Sequence, residues 1–370
     1  MSKDLLKLAM IGSGQISDRF FKQAQQLDSV KFVATQSRNL IHAEAKAREF
    51  GIERTYTDYE RMMDEERPDG VIVTTPHSLH AKPALAALKR GIHVLVEKPM
   101  ATAFSDAQAM VAEARRAGVV LMSLPFDGSP AFGLAREWIR EEYLGKVTGA
   151  EAQLAIPGPP RNNWYYDRAI AHGGAVFDCL PYPISRLLTL LGPAASLTAE
   201  MNTLIPHRLL PEEGMVESTV DDNVSLILQF KHGQHALVRT LWGIAFGQNN
   251  TIIYGRRGTL ALNDGGYPVV LHSPEVAVSG AQRVVWRGLQ DCYVPQDLPA
   301  LQPDFDMVGR FIHAIRTGEP LRQGPDLSLH VIETVCGAIQ SAGDGQRYTM
   351  TTSFEPDVPA SLFDTRTAPI

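Results

Sequence analysis

The sequence predicts an α/β domain followed by an α+β domain with a largely antiparallel sheet. Three observations predict it. The 370 residues exceed one ordinary core, so two domains are expected. Up to about Met122, short apolar runs alternate with helical stretches, the pattern of a parallel sheet covered on both faces. After the segment near 124–130, strand-like runs dominate. The domains are placed at 1–124 and 125–353, with a proline-bearing, extended tail at 354–370.

In the first domain, residues 6–11, 30–34, 70–74, 93–96 and 119–122 read as strands. Residues 41–50, rich in alanine and charge, read as a helix with Gly51 as its C-terminal cap. Ser105 and Gln108 have capping-box spacing ahead of another helix. In the second domain a helix is predicted over 132–143, with Gly145 after it. Residues 149–156, 224–230, 235–241, 251–254 and 259–262 read as strands. Residues 175–191 read as a helix that Pro181 and Pro183 should distort or interrupt. Two late helices, near 305–317 and 326–342, close the fold.

Composition narrows the function classes. Lys and Arg number 35 against 41 Asp and Glu, a net charge of −6 that offers nucleic acid no electrostatic footing. Cys179, Cys292 and Cys336 are dispersed and odd in number, which suggests neither a disulfide framework nor a zinc site. Buried thiols in a reducing compartment fit them better. No run reaches transmembrane length, and residues 1–6 already carry charge, so no signal peptide, no membrane and a cytoplasmic location are expected.

The first predicted strand leads into Gly12-Ser13-Gly14-Gln15-Ile16-Ser17, a Gly-x-Gly-x-x-small turn. The first glycine allows the tight turn, the second lets backbone approach a pyrophosphate, and the following helix offers amides to negative charge. Ser17 stands where a third glycine or alanine is usual. At the first strand-to-helix junction of a Rossmann-like pattern, this turn predicts a bound NAD or NADP. The second strand ends at Ala34-Thr35-Gln36-Ser37-Arg38 without the acidic residue that would grip an NAD ribose. Ser37 and Arg38 suit a 2′-phosphate instead, which tilts the expectation toward NADP; a solvated surface arginine is the plainer alternative.

Two further tips lie at the carboxyl edge of the sheet, where ligands bind in such folds. One is Thr74-Thr75-Pro76-His77 with His80 a turn later; the other is Glu97-Lys98-Pro99. A lysine there could hydrogen-bond a substrate hydroxyl and lower the pKa of a neighbouring acid. In the second domain, His172-Gly173-Gly174 precedes Asp178 and Tyr182, four residues apart and so on one face of a helix. The carboxylate would hold hydroxyls of a polyol and the phenol would trade a proton. His172 reads as a helix-entry hydrogen-bonder or a sugar ligand. In the polar, aromatic loop 157–168, Arg161, Asn163, Trp164 and Tyr165 are candidate sugar contacts, the alternative being a structured connecting loop.

Together these residues resemble the glucose–fructose oxidoreductase/inositol dehydrogenase (Gfo/Idh/MocA) family. The resemblance rests on Gly12 to Ser17, Thr75-Pro76-His77 with His80, Glu97-Lys98-Pro99, and Gly173-Gly174 with Asp178 and Tyr182. Tyr254-Gly255-Arg256-Arg257-Gly258-Thr259-Leu260 and the late Phe311, Ile315-Arg316-Thr317-Gly318 and Pro320 extend it over nearly the whole chain. The resemblance implies an open, predominantly antiparallel sheet often used for oligomer contacts, here a homodimer or homotetramer. It also implies hydride transfer between NAD(P) and a sugar, polyol or related carbonyl. By position Lys98 matches the catalytic lysine and Asp178 the substrate-orienting aspartate. Tyr182 falls where most members carry histidine, and His77 where asparagine is common.

An ordinary phenol titrates near about 10, so a tyrosine proton carrier needs help. A nearby ammonium and the positive ring of an oxidised nicotinamide would both favour phenolate. The leading expectation is a sugar or polyol dehydrogenase, a pentose or other short aldose being one case. The alternatives are an epimerase, lyase or hydrolase that retains its NAD, and a non-catalytic sensor. A sensor needs no proton carrier, which Lys98, Asp178 and Tyr182 argue against.

Overall fold

A computed structural model describes residues 5–123, 129–160, 163–263, 269–273, 281–286, 290–295, 306–358 and 362–363. The chain divides into two compact units. One comprises Met1–Pro125, Ala169–His172 and Asp306–Ile332; the other comprises Phe126–Arg168, Gly173–Phe305 and Glu333–Ile370.

The first unit holds strands β1 (Leu6–Ile11), β2 (Val30–Gln36), β3 (Arg54–Tyr56), β4 (Gly70–Val73), β5 (His93–Val96) and β6 (Leu121–Ser123). They form one parallel sheet in the order β3-β2-β1-β4-β5-β6. That is the doubly wound Rossmann order, and its direction reverses between β1 and β4. Helices α1 (Ser17–Gln25), α2 (Leu40–Phe50), α3 (Tyr59–Glu66), α4 (Ala81–Lys89) and α5 (Phe104–Ala117) connect the strands. The central strands read as unbroken apolar runs because both faces are covered: residues 8–11, 71–73 and 94–96 are at most 1% exposed. Gly51 caps α2 with φ +70°, as its position predicts. The expected capping box is corrected. Helix α5 starts at Phe104 after Ala103, whose side chain caps nothing, so Ser105 already sits in the first turn.

A late helix, taken up below as α10 (Met307–Thr317), completes this unit. Phe311 is fully buried against Gly70 of β4, where an added Cβ would meet its ring at 3.0 Å and Leu8 at 3.1 Å. The buried Gln23 of α1 accepts the first amides of the helix, from Met307 at 3.1 Å and Val308 at 3.3 Å.

In the second unit, helix α6 (Pro130–Arg140) precedes β7 (Val147–Ile156). After a short helix α7 (Arg168–Ala171), which belongs to the first unit from Ala169 on, come α8 (Ala175–Asp178) and α9 (Pro181–Leu191). The remaining strands are β8 (Ala194–Asn202), β9 (His207–Leu210), β10 (Gly214–Glu217), β11 (Asn223–Phe230), β12 (His235–Trp242), β13 (Gln248–Gly255), β14 (Thr259–Asn263), β15 (Val269–His272), β16 (Ala281–Trp286), β17 (Gln290–Pro295) and β18 (Tyr348–Thr349). Helix α10 and then α11 (Pro325–Asp344) precede the last of these. Ten strands form one open sheet, β16-β17-β15-β14-β13-β7-β12-β11-β8-β18, antiparallel except between β12 and β7. Along β12, Ala236, Val238, Thr240 and Trp242 are buried while His235, Leu237 and Arg239 are exposed. This alternation marks a sheet with one covered face.

The tail expected beyond residue 354 packs where it is described. Val358, Leu362 and Phe363 are buried, Gln234 Nε2 donates to Phe363 O at 2.7 Å, and Asp357 pairs with Arg136. The segment before it is anchored by one carboxylate. Glu333 on α11 is fully buried and accepts from the amides of Thr351 (2.6 Å) and Thr352 (2.9 Å), from both their hydroxyls, and from Tyr348 OH (3.3 Å). Burial pushes its pKa up, but the hydrogen bonds of Thr351 and Thr352 outweigh it, and the group ends below the ordinary glutamate value. A depressed folded pKa stabilises the fold above the unfolded value of about 4.3, and this stabilisation is lost as pH falls through the folded value. Glu333→Gln, which sets an amide donor against donors, is expected to cost about 2–4 kcal/mol at neutral pH and to flatten the acid limb. Urea unfolding from pH 7 to 3 checks this; an unchanged midpoint at neutral pH would refute the anchoring role.

Candidate active site

In the first unit, three turns meet at the carboxyl edge of the parallel sheet, beside the β1–β4 reversal. The first follows β1. Gly12 has φ +100°, and an added Cβ would lie 2.8 Å from the Thr74 carbonyl carbon and the Thr75 nitrogen, so only glycine fits. Thr74 Oγ1 donates to Gly12 O at 2.7 Å and ties the second turn to the first. Gly14 has open space where its side chain would be. Ser13 Oγ donates to Gln36 O at 3.0 Å and lies 3.0 Å from Thr35 Oγ1, which braces the turn against β2. Ser17 is buried, and its hydroxyl donates to Gly14 O at 2.6 Å; a satisfied small side chain therefore stands where glycine or alanine is usual.

These residues fit a dinucleotide. No side chain caps the N-terminus of α1, whose N-cap residue is Ile16, and Gln15 lies in the turn that precedes it. The open face of Gly14 lets a phosphate approach the backbone of this turn. On the β4 turn, Thr75 Oγ1 is buried with no protein partner. A group that supplies an acceptor or donor there would relieve the cost of leaving it unpaired. At the end of β2, Ser37 donates its amide to Tyr56 O at 3.1 Å, and Arg38 is exposed, one residue before the α2 cap Asn39.

The third turn carries Glu97-Lys98-Pro99. Glu97 is buried, and its carboxylate accepts the Lys98 amide at 2.9 Å. Lys98 itself is half-buried, and the Lys98–Pro99 peptide is cis. Pro76 starts the turn over which His77 is buried, and the His77 ring meets His80 edge-on with centroids 6.1 Å apart. The sequence sets His80 beside the cofactor. In the fold it is 1% exposed and spends its ring on backbone: Nδ1 lies 2.7 Å from Pro99 O and Nε2 2.6 Å from Thr75 O. It therefore joins the β4 turn to the lysine turn. Burial holds its pKa below the usual histidine value and the Lys98 ammonium pushes the same way, against the two carbonyls.

In the second unit, Asp178 and Tyr182 lie on two helices rather than one. Pro181 has no N–H, and the Leu180 amide reaches back five residues to Ala175 O at 3.1 Å. The predicted helix 175–191 is thus broken between α8 and α9, with Asp178 closing one piece and Tyr182 second in the other. Asp178 is buried, whereas Tyr182 is 37% exposed. His172, which ends the 169–172 segment of the first unit, is exposed and in a left-handed turn with φ +63°. Gly174 follows with φ +48°, where an added Cβ would meet Val220 at 2.4 Å.

Of the loop candidates, Trp164 and Tyr165 are half-buried and stack ring on ring, centroids 3.8 Å apart. Arg161 and the side chain of Asn163 lie outside the described residues. Sequence reasoning missed Tyr166, which is buried and donates its hydroxyl to Pro159 O at 2.6 Å. It also missed Cys179 and Trp242, whose indole Nε1 donates to Cys179 Sγ at 3.1 Å. The aromatic density of the loop was a signal for Tyr166; nothing local pairs residues 179 and 242. No helix among the described residues is long and apolar enough to cross a membrane.

Comparison with known proteins agrees with this architecture. The Gfo/Idh/MocA oxidoreductase family model with an NAD-binding Rossmann fold matches residues 6–124, and that of the Gfo/Idh/MocA C-terminal domain matches residues 132–261. Levoglucosan dehydrogenase of Pseudarthrobacter phenanthrenivorans is 30% identical over 268 residues, covering 66% of this chain and 67% of that protein. D-xylose 1-dehydrogenase (NADP(+)) 2 of Haloferax volcanii is 26% identical over 345 residues, 92% of this chain and 98% of its own. Among solved structures, levoglucosan dehydrogenase in complex with NADH and levoglucosan superposes with a TM-score of 0.78 at 19% identity, over 94% of this chain and 100% of that one. The two-domain match, in the order in which the motifs occur, places this chain in the Gfo/Idh/MocA family of oxidoreductases with an NAD-binding Rossmann fold.

Proposed function

We propose that the protein transfers a hydride between NAD(P) and a sugar or polyol, oxidising a CH–OH group or reducing the matching carbonyl. The observation that carries the reading is the convergence of the Gly12–Gly14 turn, the unpartnered Thr75 hydroxyl and the Lys98 turn at one sheet edge. The names of two relatives, one acting on levoglucosan and one on D-xylose, support the sugar class. When bound, the nicotinamide supplies a hydride donor or acceptor. Gly12 to Ile16 would hold the pyrophosphate, and Thr75, Pro76 and His77 would flank the nicotinamide half. Lys98 hydrogen-bonds a substrate hydroxyl and favours the deprotonated partner. Asp178 orients hydroxyls, Tyr182 carries the proton, and Trp164 and Tyr165 offer ring faces to the sugar.

A panel of sugars and polyols, levoglucosan and D-xylose included, assayed with NAD and NADP by nicotinamide absorbance tests the reading. Steady turnover of at least one member is expected. A cofactor that copurifies while its absorbance stays constant during conversion would point instead to an enzyme that retains its NAD.

The exposed Arg38 and the neutral Ser37 tilt the choice toward NADP. Ser37→Asp repels a 2′-phosphate and offers an acceptor to a ribose hydroxyl. The ratio of kcat/KM for NADP over NAD is expected to fall about 10- to 100-fold. An unchanged ratio would mean that the adenosine end is read elsewhere. The open face of the large sheet supports a homodimer or homotetramer. Ile227 and Leu237 are direct cross-strand partners there, 45% and 53% exposed. Light scattering is expected to show a stable oligomer, and a monomer at high concentration would refute it.

A further inference from the structure

Behind Asp178 lies a buried chain of polar contacts that packing alone does not require. Trp242 ends β12 on the covered face of the sheet and is 3% exposed. An indole N–H is a donor only, and a buried one needs an acceptor. Here the acceptor is Cys179 Sγ at 3.1 Å. Cys179 is 1% exposed, in the break between α8 and α9, and its Sγ lies 3.8 Å from Asp178 Oδ2. A thiol both donates and accepts, whereas an ionised carboxylate only accepts. The arrangement therefore has one consistent order: Trp242 N–H to sulfur, then S–H to carboxylate. In that order the sulfur keeps its hydrogen, as the donor to Asp178.

The indole is itself held from behind. The Trp242 amide donates to Asp222 O at 2.8 Å. Tyr166 meets its ring edge-on at 5.5 Å, and the Arg208 guanidinium lies 6.0 Å from its centroid. Arg208 is fixed by the Asp222 carboxylate at 2.8 Å, and that carboxylate also accepts the amides of Leu204 (2.8 Å) and Ile205 (2.9 Å). Buried ions held on several sides keep one geometry. The ring therefore has little freedom to turn its N–H away from the sulfur.

We infer that Trp242 and Cys179 are positioning residues for the Asp178 carboxylate: the indole N–H orients the thiol, and the thiol hydrogen orients Oδ2. This rests on the role proposed for Asp178. Two measurements separate its failure from the failure of that role. The first needs no substrate. The S–H stretching band lost in Cys179→Ala identifies this thiol in the infrared spectrum. The band is expected to rise in frequency in Asp178→Ala, which removes the acceptor, and to shift in Trp242→Phe, which keeps a ring and removes the N–H. A band that ignores both substitutions overturns the inference.

The second measurement is kinetic, with levoglucosan or D-xylose as substrate. Cys179→Ala and Trp242→Phe are each expected to lower kcat/KM about 3- to 10-fold, the worth of one hydrogen bond, with NAD(P)H affinity unchanged. The acid limb set by ionisation of Asp178, distinct from the ascending limb set by Tyr182, should move upward in pH, because the carboxylate loses a donor that favours its ionised form. The double variant should be no slower than Cys179→Ala, since the indole acts through the sulfur. Cys179→Ser, which keeps a donor and an acceptor, should recover most of the rate. Losses that add, or a limb that stays in place while only stability falls, mean that the contacts serve packing alone and overturn the inference. If Asp178→Asn turns over normally, the role of Asp178 is wrong and the inference falls with it. If Asp178→Asn is dead while Cys179→Ala and Trp242→Phe match wild type, the inference alone falls.

Discussion

Lys98→Ala is expected to lower kcat by about 10²- to 10⁴-fold, the usual loss on removing one positioned acid–base or electrostatic group. Coenzyme affinity should change little. The turn that carries the residue is held by backbone contacts that alanine retains: the residue-98 amide on the Glu97 carboxylate, and Pro99 O on the His80 ring. What alanine removes is the ammonium, at the carboxyl end of β5. Lys98→Arg should not restore the rate, because a planar, forked guanidinium is not a compact point charge. Steady-state kinetics paired with NADPH fluorescence titration checks the result. A folded Lys98→Ala protein with near-normal turnover would remove Lys98 from the chemistry.

Tyr182→Phe is expected to be as damaging, at about 10²- to 10⁴-fold in kcat, with little loss of stability. The ring is 37% exposed, and phenylalanine keeps it. The hydrogen bond at the start of α9, from the Tyr182 amide to Cys179 O at 3.1 Å, is untouched by the change. His172 is the competitor for the proton, since it carries an imidazole beside the Gly173-Gly174 turn. His172→Asn should mainly raise KM if the imidazole only holds substrate. The ascending limb of the oxidative pH profile should vanish in Tyr182→Phe and survive in His172→Asn. An active Tyr182→Phe beside a dead His172→Asn would reverse the assignment.

Much of this could be read from residue order alone, for physical reasons. Central parallel strands are apolar on both faces, so 8–11, 71–73 and 94–96 stand out in any window. Glycines at positive φ mark turns, and Gly12 and Gly51 are where such turns fall. β3 did not stand out because it is three residues long and only Tyr56 in it is buried. β8, Ala-Ala-Ser-Leu-Thr-Ala-Glu-Met-Asn, has few strand-forming side chains and is a strand by its pairing with β11. The prolines announced a disturbance in 175–191, but not that it would fall between Asp178 and Tyr182. Within the site, the residues proposed to touch a ligand carry motifs. Those that support them are paired over long separations, Cys179 with Trp242 or Glu333 with Thr351, and a single sequence holds no sign of such pairs.

The late helix α10 has a consequence for how the chain is made. Leu8 and Gly70 leave the ribosome early, yet the ring that covers them, Phe311, is translated roughly 240 residues later, about 10–50 s at ordinary elongation rates. Through that interval the nascent first unit carries a bare apolar seat on its sheet, and the Gln23 side chain that will cap the helix has no amides to receive. A truncated chain that stops at the end of β6 keeps that seat permanently open. Such a fragment exposes the kind of apolar surface that chaperones bind.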